Sequence, residues 1–267
     1  MNSDALGPLV NAATVGDLDS LKHLLAAQGP SQPDEAAAEK LLTTAAWERQ
    51  EAVFTFLLSE YPPRSVPEEA VRAAVYSGSI PIFSALLARD PALVNLQFDK
   101  RGTPLAVACS SRQSPEFLEF LLAAGADPNQ DPEMAALPLA AVAAFYRDTR
   151  AADLLLSHGA RLQGSGALQT AASLGSEVML RYLLERGAGR EIAEGGIPAA
   201  AMALHGAARR GRAGNVRVLL EYGVDVDIRN GEGQKALELA EEAEKVEGGG
   251  EGFSEVKDLL STKVPQI

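Results

Sequence analysis

Residues 204–223 read LHGAARRGRAGNVRVLLEYG, a pattern that the rest of the chain repeats. Leu204 and the pair Ala207-Ala208 are spaced to fall on one face of a short helix, and the pair Leu219-Leu220 continues the apolar pattern in a second one. Gly211 separates the two, where a helix has to end in a left-handed or otherwise open conformation. The stretch therefore predicts a helix, a tight turn and a second helix.

This pattern recurs at regular intervals. We take as an anchor the leucine or valine that opens each first helix; successive anchors are 33, 29, 34, 34, 29 and 36 residues apart. Small or short apolar residues follow three and four positions beyond every anchor. A Leu-Leu pair follows at fifteen and sixteen positions in five units, and one position later in the other two. The anchors are Leu9, Leu42, Val71, Leu105, Leu139, Leu168 and Leu204.

A helix pair this short cannot bury its apolar face alone, so the units have to stack on their neighbours. We predict an all-α repeat solenoid of about seven to eight helix-turn-helix units, forming a single domain over residues 1–267. An eighth, divergent unit begins at Leu237 and resumes at Val256 after a glycine-rich insertion. The predicted units are 7–36, 37–66, 67–100, 101–134, 135–164, 165–199, 200–232 and a C-terminal cap, 233–267.

The spacing and several motifs resemble the ankyrin repeat. Thr103-Pro104-Leu105 matches the start of its first helix, and Gly125-Ala126-Asp127 matches its ending, which Gly223-Val224-Asp225 repeats in part. The chain departs from the family in having Thr-Pro-Leu once and an eroded ending after the first three units. Other solenoids of helix pairs remain the alternative. The resemblance implies that His205 hydrogen-bonds to backbone between adjacent repeats, which is a structural role.

The resemblance also implies a groove that binds a partner protein, lined by the exposed side of each first helix and by the hairpin tips. Two variable positions, five and six beyond each anchor, carry the candidate contacts. In this sequence the candidates are Trp47, Glu48, Tyr76, Ser77, Ser110, Ser111, Phe145, Arg209 and Arg210, with Arg212 beside them.

Two ends of this groove differ in chemistry. Trp47 and Tyr76, one repeat apart, form an aromatic end, and Trp, Tyr and Arg often dominate binding energy at interfaces. The basic end, Arg209 with Arg210 and Arg212, suits an acidic or phosphorylated partner segment. The alternative is that Trp47 packs on Phe54 or on the next helix and that the arginines are solvated.

A second candidate surface is the hairpin tip with Phe98, Lys100 and Arg101, unless Phe98 is buried under the hairpin. The acidic segment from Glu238 to Glu255 is expected to be a solvated helix end plus a flexible loop; an acidic docking tail is the alternative.

Composition narrows the function. A net charge of −12 disfavours nucleic-acid binding, and no stretch is apolar enough to span a membrane. The single cysteine, Cys109, cannot form an internal disulfide, and the N-terminus lacks a secretory leader pattern. We expect a monomeric cytoplasmic or nuclear protein whose partner is another protein.

No catalytic motif is recognisable. The three histidines fall in different repeats without a second ligand at metal-site spacing, and Gly248-Gly249-Gly250 lacks the Lys-Ser/Thr of a phosphate-binding loop. Cys109 occupies a small-residue core position. We therefore expect no enzyme, no cofactor and no metal. The alternatives are an enzyme with an unrecognised groove site and a structural spacer.

Overall fold

The computed structural model describes residues 3–27, 33–99, 102–130, 137–192, 196–248 and 250–262. These residues form sixteen α-helices, arranged in eight successive pairs, and one 3₁₀ helix. Extended pairing among them is limited to three isolated antiparallel bridges, Phe98 with Gly102, Ile192 with Pro198 and Arg229 with Lys235. The predicted all-α repeat fold is confirmed. No helix in this part of the chain has both the length and the apolar character needed to cross a membrane.

Contacts divide the chain into two compact units, Met1–Asp127 and Pro128–Ile267, here called the N-terminal and C-terminal units. The prediction of a single domain stays a prediction. The N-terminal unit contains four helix pairs: α1 (Ser3–Val15) with α2 (Leu18–Ala27), α3 (Glu35–Trp47) with α4 (Glu51–Glu60), α5 (Glu68–Ser77) with α6 (Ile80–Arg89), and α7 (Pro104–Ser110) with α8 (Pro115–Ala123). The 3₁₀ helix (Pro91–Asn95) lies between α6 and α7.

The C-terminal unit contains the other four pairs. They are α9 (Pro138–Phe145) with α10 (Arg150–Ser157), α11 (Ala167–Ser173) with α12 (Glu177–Glu185), α13 (Ala199–Arg209) with α14 (Ala213–Glu221), and α15 (Ala236–Glu247) with α16 (Glu251–Ser261).

Local sequence sets where many of these helices begin. The side chains of Asp34, Ser79, Thr103, Ser114 and Ser176 each accept a hydrogen bond from the backbone N–H three residues later, at the starts of α3, α6, α7, α8 and α12. Such caps satisfy donors that the first helical turn leaves unpaired. Proline, which has no N–H to leave unpaired, opens α7, α8 and α9.

Five of the first helices end at a left-handed residue seven positions beyond the anchor. Gly16, Gly78 and Gly211 have φ angles of 76°, 62° and 60° there. Arg49 and Arg112 occupy the same place in their repeats with φ angles of 57° and 58°. Residues with a Cβ adopt this left-handed conformation at a cost of about 1–2 kcal/mol. The turn therefore forms even where the glycine signal is missing from the sequence.

In three repeats, a polar side chain eight residues beyond the anchor forms a hydrogen bond to the preceding repeat. In the N-terminal unit, Nε2 of Gln50 donates to the Thr14 carbonyl at 3.0 Å, and Nε2 of Gln113 donates to the Tyr76 carbonyl at 2.8 Å. In the C-terminal unit, Nε of Arg212 donates to the Ser173 carbonyl at 3.3 Å. All three carbonyls lie five residues beyond an anchor, near the end of a first helix. These bonds satisfy carbonyls that the helix end leaves unpaired.

Two asparagines hold the connections between repeats in one shared geometry. Nδ2 of Asn95 donates to the Gly125 carbonyl, and its Oδ1 accepts from the Asp127 N–H, both at 2.9 Å. Asn129 makes the same pair of bonds to the Gly159 carbonyl and the Arg161 N–H, at 2.9 and 2.8 Å. The same two bonds thus form at Gly125-Ala126-Asp127, which keeps the Gly-Ala-Asp pattern, and at Gly159-Ala160-Arg161, where the aspartate is replaced.

The acidic C-terminal segment is more ordered than the sequence suggested. The predicted helix end is present, since α15 runs to Glu247, but α16 begins already at Glu251, so the predicted loop is limited to the connection between the two helices. Phe253, Val256 and Leu260 of α16 are buried, so this helix is held by apolar packing despite the surrounding charge.

The backbone of Gly175, just after α11, lies very close to the neighbouring first helix α9. A Cβ at this position would lie 2.4 Å from the Ala143 carbonyl oxygen and 2.9 Å from Cα of Ala171. Both atoms belong to helix backbone that cannot move independently. We expect Gly175→Ala to lower the free energy of unfolding by about 1–3 kcal/mol, measured by urea denaturation.

Gly231→Ala is the matched control, because a Cβ there meets no atom within 4 Å and its backbone is not left-handed. Its effect should stay within about 0.5 kcal/mol. Equal effects of the two substitutions would contradict the close approach at Gly175.

Candidate functional site

The N-terminal unit brings its two aromatic candidates together on neighbouring first helices. The rings of Trp47 in α3 and Tyr76 in α5 stack with centroids 5.4 Å apart and planes 19° apart. Trp47 packs on the next helix and not within its own repeat against Phe54, yet 43% of it stays exposed. The pair therefore presents a supported aromatic surface to solvent.

The polar candidates of this unit differ in which of their hydrogen-bonding groups remain available to a partner. Glu48 is exposed at the end of α3. The hydroxyls of Ser77, Ser110 and Ser111 donate to carbonyls of their own helices at 3.0, 2.8 and 2.7 Å. Their oxygens keep acceptor capacity, but their hydrogen atoms are already used.

One of the three residues predicted at the hairpin tip is not accessible for contact. Phe98 is fully buried, and its N–H donates to the Gly102 carbonyl at 2.9 Å. The apolar ring is covered beneath the hairpin, so the prediction of Phe98 as a contact residue is wrong. Lys100 and Arg101 lie outside the described residues.

The C-terminal unit contains an open groove of about 790 Å³ along three successive first helices and the hairpin before the last of them. We call this the C-terminal groove. From α11 and its end it takes Gln169, Thr170, Ser173 and Leu174, and from α13 Gly206, Arg209 and Arg210. The hairpin and α15 contribute Glu232, Gln234, Leu239, Glu242, Ala243 and Val246.

Arg209 and Arg210 are exposed in this groove, and neither forms a hydrogen bond or ion pair with another described residue. Arg212 is also exposed but lies outside the groove lining, and its Nε is engaged by the Ser173 carbonyl. The three predicted basic residues thus separate into two free side chains and one that connects repeats. Phe145, at the end of α9, is 46% exposed.

Arginines on the second helices of the same unit form ion pairs, unlike Arg209 and Arg210. Arg186, directly after α12, pairs with Asp153 of α10 at 2.9 Å, and Arg181 of α12 pairs with Glu221 of α14 at 2.6 Å. A further pair joins α14 to α16, between Arg217 and Glu255. Cations on that side therefore link neighbouring repeats, whereas those in the groove do not.

Comparison with known proteins agrees with this architecture. Residues 192–240 match the family model described as ankyrin repeats in many copies, and residues 102–131 match the model of the single ankyrin repeat. The chain therefore contains ankyrin repeats in these two stretches. Ankyrin repeats are in general protein–protein interaction modules.

The crystal structure of the human ASB11 ankyrin repeat domain is similar in fold. Its sequence is 22% identical, with a TM-score of 0.50, over 91% of this chain and 98% of that one. Among curated proteins, no sequence matches this chain.

His205 occupies the structural place that the ankyrin resemblance implies. It is buried in α13, and its Nε2 lies 3.1 Å from the Ile228 carbonyl, in the hairpin that leads to α15. Burial lowers the pKa of His205, because the imidazolium would lose its hydration; the bond to Ile228 acts in the opposite direction. The neutral ring therefore connects a first helix to the next hairpin.

Cys109 is fully buried in α7, and burial raises the pKa of its thiol, so the unreactive protonated form is favoured. Among the described residues, no three His, Cys, Asp or Glu side chains cluster in a way that would hold a metal ion.

Several residues of the site were not found from the sequence. Gln169, Thr170, Glu232 and Val246 line the C-terminal groove but stand outside the two variable positions. The hairpin and the full length of α15 bring the last two into the lining. Gln50 and Gln113 were also missed, although an amide at the same place in two repeats was a usable signal.

The buried His205 predicts a pH-dependent stability. The unfolded chain binds a proton at this ring below about pH 6.5, whereas the folded protein resists protonation to a lower pH. This contribution to stability is therefore fully present above that value and is lost as the pH falls below it, towards the lower pKa of the folded state. Urea denaturation of wild type at several pH values should show this loss, and His205→Gln should show a smaller one.

His23→Gln, which changes an exposed histidine, is the control. Its free energy of unfolding should depend on pH as that of wild type does. If the free energy of unfolding depended on pH equally in wild type and in His205→Gln, the buried neutral ring would not be the cause of that dependence.

Trp47 is the only tryptophan, so its fluorescence reports the aromatic stack directly. Tyr76→Ala should shift its emission to longer wavelength and raise its quenching by acrylamide, because water replaces the stacked ring. We expect a loss of about 0.5–1.5 kcal/mol in stability with it. Tyr222→Ala, which removes an equally exposed aromatic ring from the C-terminal unit, should leave the emission unchanged.

Proposed function

We propose that this protein binds a partner protein through the exposed ends of its first helices and that it is not itself a catalyst. The observation that carries the proposal is where its exposed apolar side chains lie. Among the described residues, ten large apolar side chains are exposed. Four of them, Val15, Trp47, Phe145 and Leu174, fall five or six positions beyond an anchor, although those positions make up a small fraction of the chain.

Burial of such side chains is the main source of affinity at protein interfaces. Scattered exposed apolar residues are ordinary on any protein surface. Exposed apolar side chains recur at two adjacent positions in four repeats, and this regularity supports the use of these positions for contact.

Trp47 with Tyr76 is the strongest candidate for an energetically dominant contact. The stack holds Trp47 in place before a partner arrives, so less side-chain freedom is lost on binding. Both rings lie on helices and not on loops. Truncation of a dominant aromatic contact raises Kd by about tenfold or more.

The test is quantitative affinity capture from an extract of the source cells. Wild type is compared with Trp47→Ala/Tyr76→Ala and with the matched control Val178→Ala/Tyr222→Ala. The control removes two other exposed apolar side chains, and Tyr222 has the same 43% exposure as Trp47. Urea denaturation checks that all three proteins are folded. We expect at least one partner to be lost about tenfold from the aromatic variant alone.

A captured partner is then purified, and its Kd for the three proteins is measured by calorimetry. Equal Kd values for wild type and the aromatic variant would remove the aromatic pair from the interface. If no partner bound wild type above background, the spacer hypothesis would replace the proposal. Turnover of a small molecule that the groove substitutions abolish would replace it with the enzyme hypothesis.

A further inference from the structure

The charged, apolar and hydrogen-bonding side chains that line the C-terminal groove indicate the kind of segment that would fit it. Counted from Leu168, Leu204 and Leu237, the sixth positions of α11, α13 and α15 hold Leu174, Arg210 and Ala243. The fifth positions hold Ser173, Arg209 and Glu242. Since α13 contacts both α11 and α15, each arginine stands in the middle of its row. Arg210 therefore has a small or apolar neighbour on either side.

These two arginines are free charges on an acidic protein. The cations on α12 and α14 form ion pairs between repeats, but Arg209 and Arg210 have no partner among the described residues. The net charge of −12 does not prevent an anion from approaching them, because charges more than about 8–10 Å away are largely screened at physiological salt. The planar arginine fork can pair with a carboxylate through two parallel hydrogen bonds.

The floor of the groove suits an extended backbone. A Cβ on Gly206 would lie 2.4 Å from Oγ of Ser173, so α11 and α13 run close together at the floor of the groove. The side chains of Gln169 and Thr170 are partly exposed there and form no hydrogen bond within the described residues. An extended segment has backbone groups to offer them, whereas a helix has already paired its own.

The acidic residues of the groove limit the charge of the occupant. Glu242 accepts a hydrogen bond from Nε2 of Gln234 at 3.0 Å, and Glu232 stands at the hairpin. A continuous acidic run would meet both carboxylates and be repelled. One or two acidic residues opposite the arginines would avoid that repulsion.

We infer that the C-terminal groove binds an extended partner segment in which one or two carboxylates face Arg209 and Arg210 and an adjacent apolar side chain packs on Leu174 and Val246. This inference rests on the proposed function and names the chemistry of the partner. The exposed Leu174 and Val246 provide the apolar contact on either side of the arginines.

The experiment selects peptides without assuming their sequence. A phage library of random 12-residue peptides is panned on the full-length protein and counter-selected on Arg209→Glu/Arg210→Glu. The matched control is Arg161→Glu/Arg190→Glu, which makes the same charge change at two exposed arginines of the same unit that do not line the groove. Circular dichroism and urea denaturation confirm that all proteins are folded.

Selected peptides should carry one or two acidic residues beside an apolar one. Fluorescence anisotropy with a labelled selected peptide should show Kd raised about tenfold or more by Arg209→Glu/Arg210→Glu and changed less than about twofold by the control. Binding should weaken as NaCl rises from about 0.05 to 0.5 M. A version of the peptide with lysine for its acidic residues should bind the charge-reversed variant better than it binds wild type.

Groove-dependent peptides without acidic residues would overturn the inferred chemistry and leave the proposed function standing. A phosphoserine version that bound more than about tenfold tighter than its glutamate counterpart would assign the arginines to phosphate instead. Failure to select any groove-dependent peptide would overturn the inference as well. The proposed function would fall separately, if the extract yielded no partner that depends on Trp47 and Tyr76.

Discussion

The close contact between neighbouring first helices is the constraint on which the other features depend. Small buried residues three and four positions beyond each anchor, such as Ala171 with Ala172 and Ala207 with Ala208, allow that contact. Gly175 shows how little room remains, since any Cβ there would meet backbone of α9. One face of each first helix is buried against its neighbours, and the positions toward the end of the helix stay accessible to solvent. The candidate binding residues lie there for that reason.

The same helix ends are also where the repeats are connected by polar bonds. Gln50, Gln113 and Arg212 each donate to a carbonyl five positions beyond the previous anchor. One of these carbonyls belongs to Tyr76, whose ring stacks on Trp47. The next repeat therefore holds the backbone of a residue that forms half of the aromatic stack. A surface built in this manner is presented rigidly, and little ordering is required when a partner binds.

Charge is distributed unevenly between the two sides of the C-terminal unit. Ion pairs link α10, α12, α14 and α16 in series, and exposed pairs of this kind each contribute modestly to stability, about 0–1 kcal/mol. The first helices carry arginines without such partners. An acidic protein that keeps two free cations in a groove has a local electrostatic preference that its net charge does not reveal. Net charge describes long-range behaviour, and recognition is decided at contact distance.

The recurrence of anchors, small residues and leucine pairs was enough to predict the helix pairs, their number and the buried faces, because each short pair can bury its apolar face only against its neighbours. The variable positions on first helices were also readable, and with them Trp47, Tyr76, Arg209 and Arg210. Which of these side chains are free was not readable. Trp47 stacks on Tyr76, Phe98 is buried, and Arg212 donates to a carbonyl of the preceding repeat. Glu232 and Val246 line the groove from a hairpin and from α15. Contacts of this kind join residues about 30 or more positions apart or depend on how a hairpin folds back, so they are set by three-dimensional packing and leave little trace in local sequence.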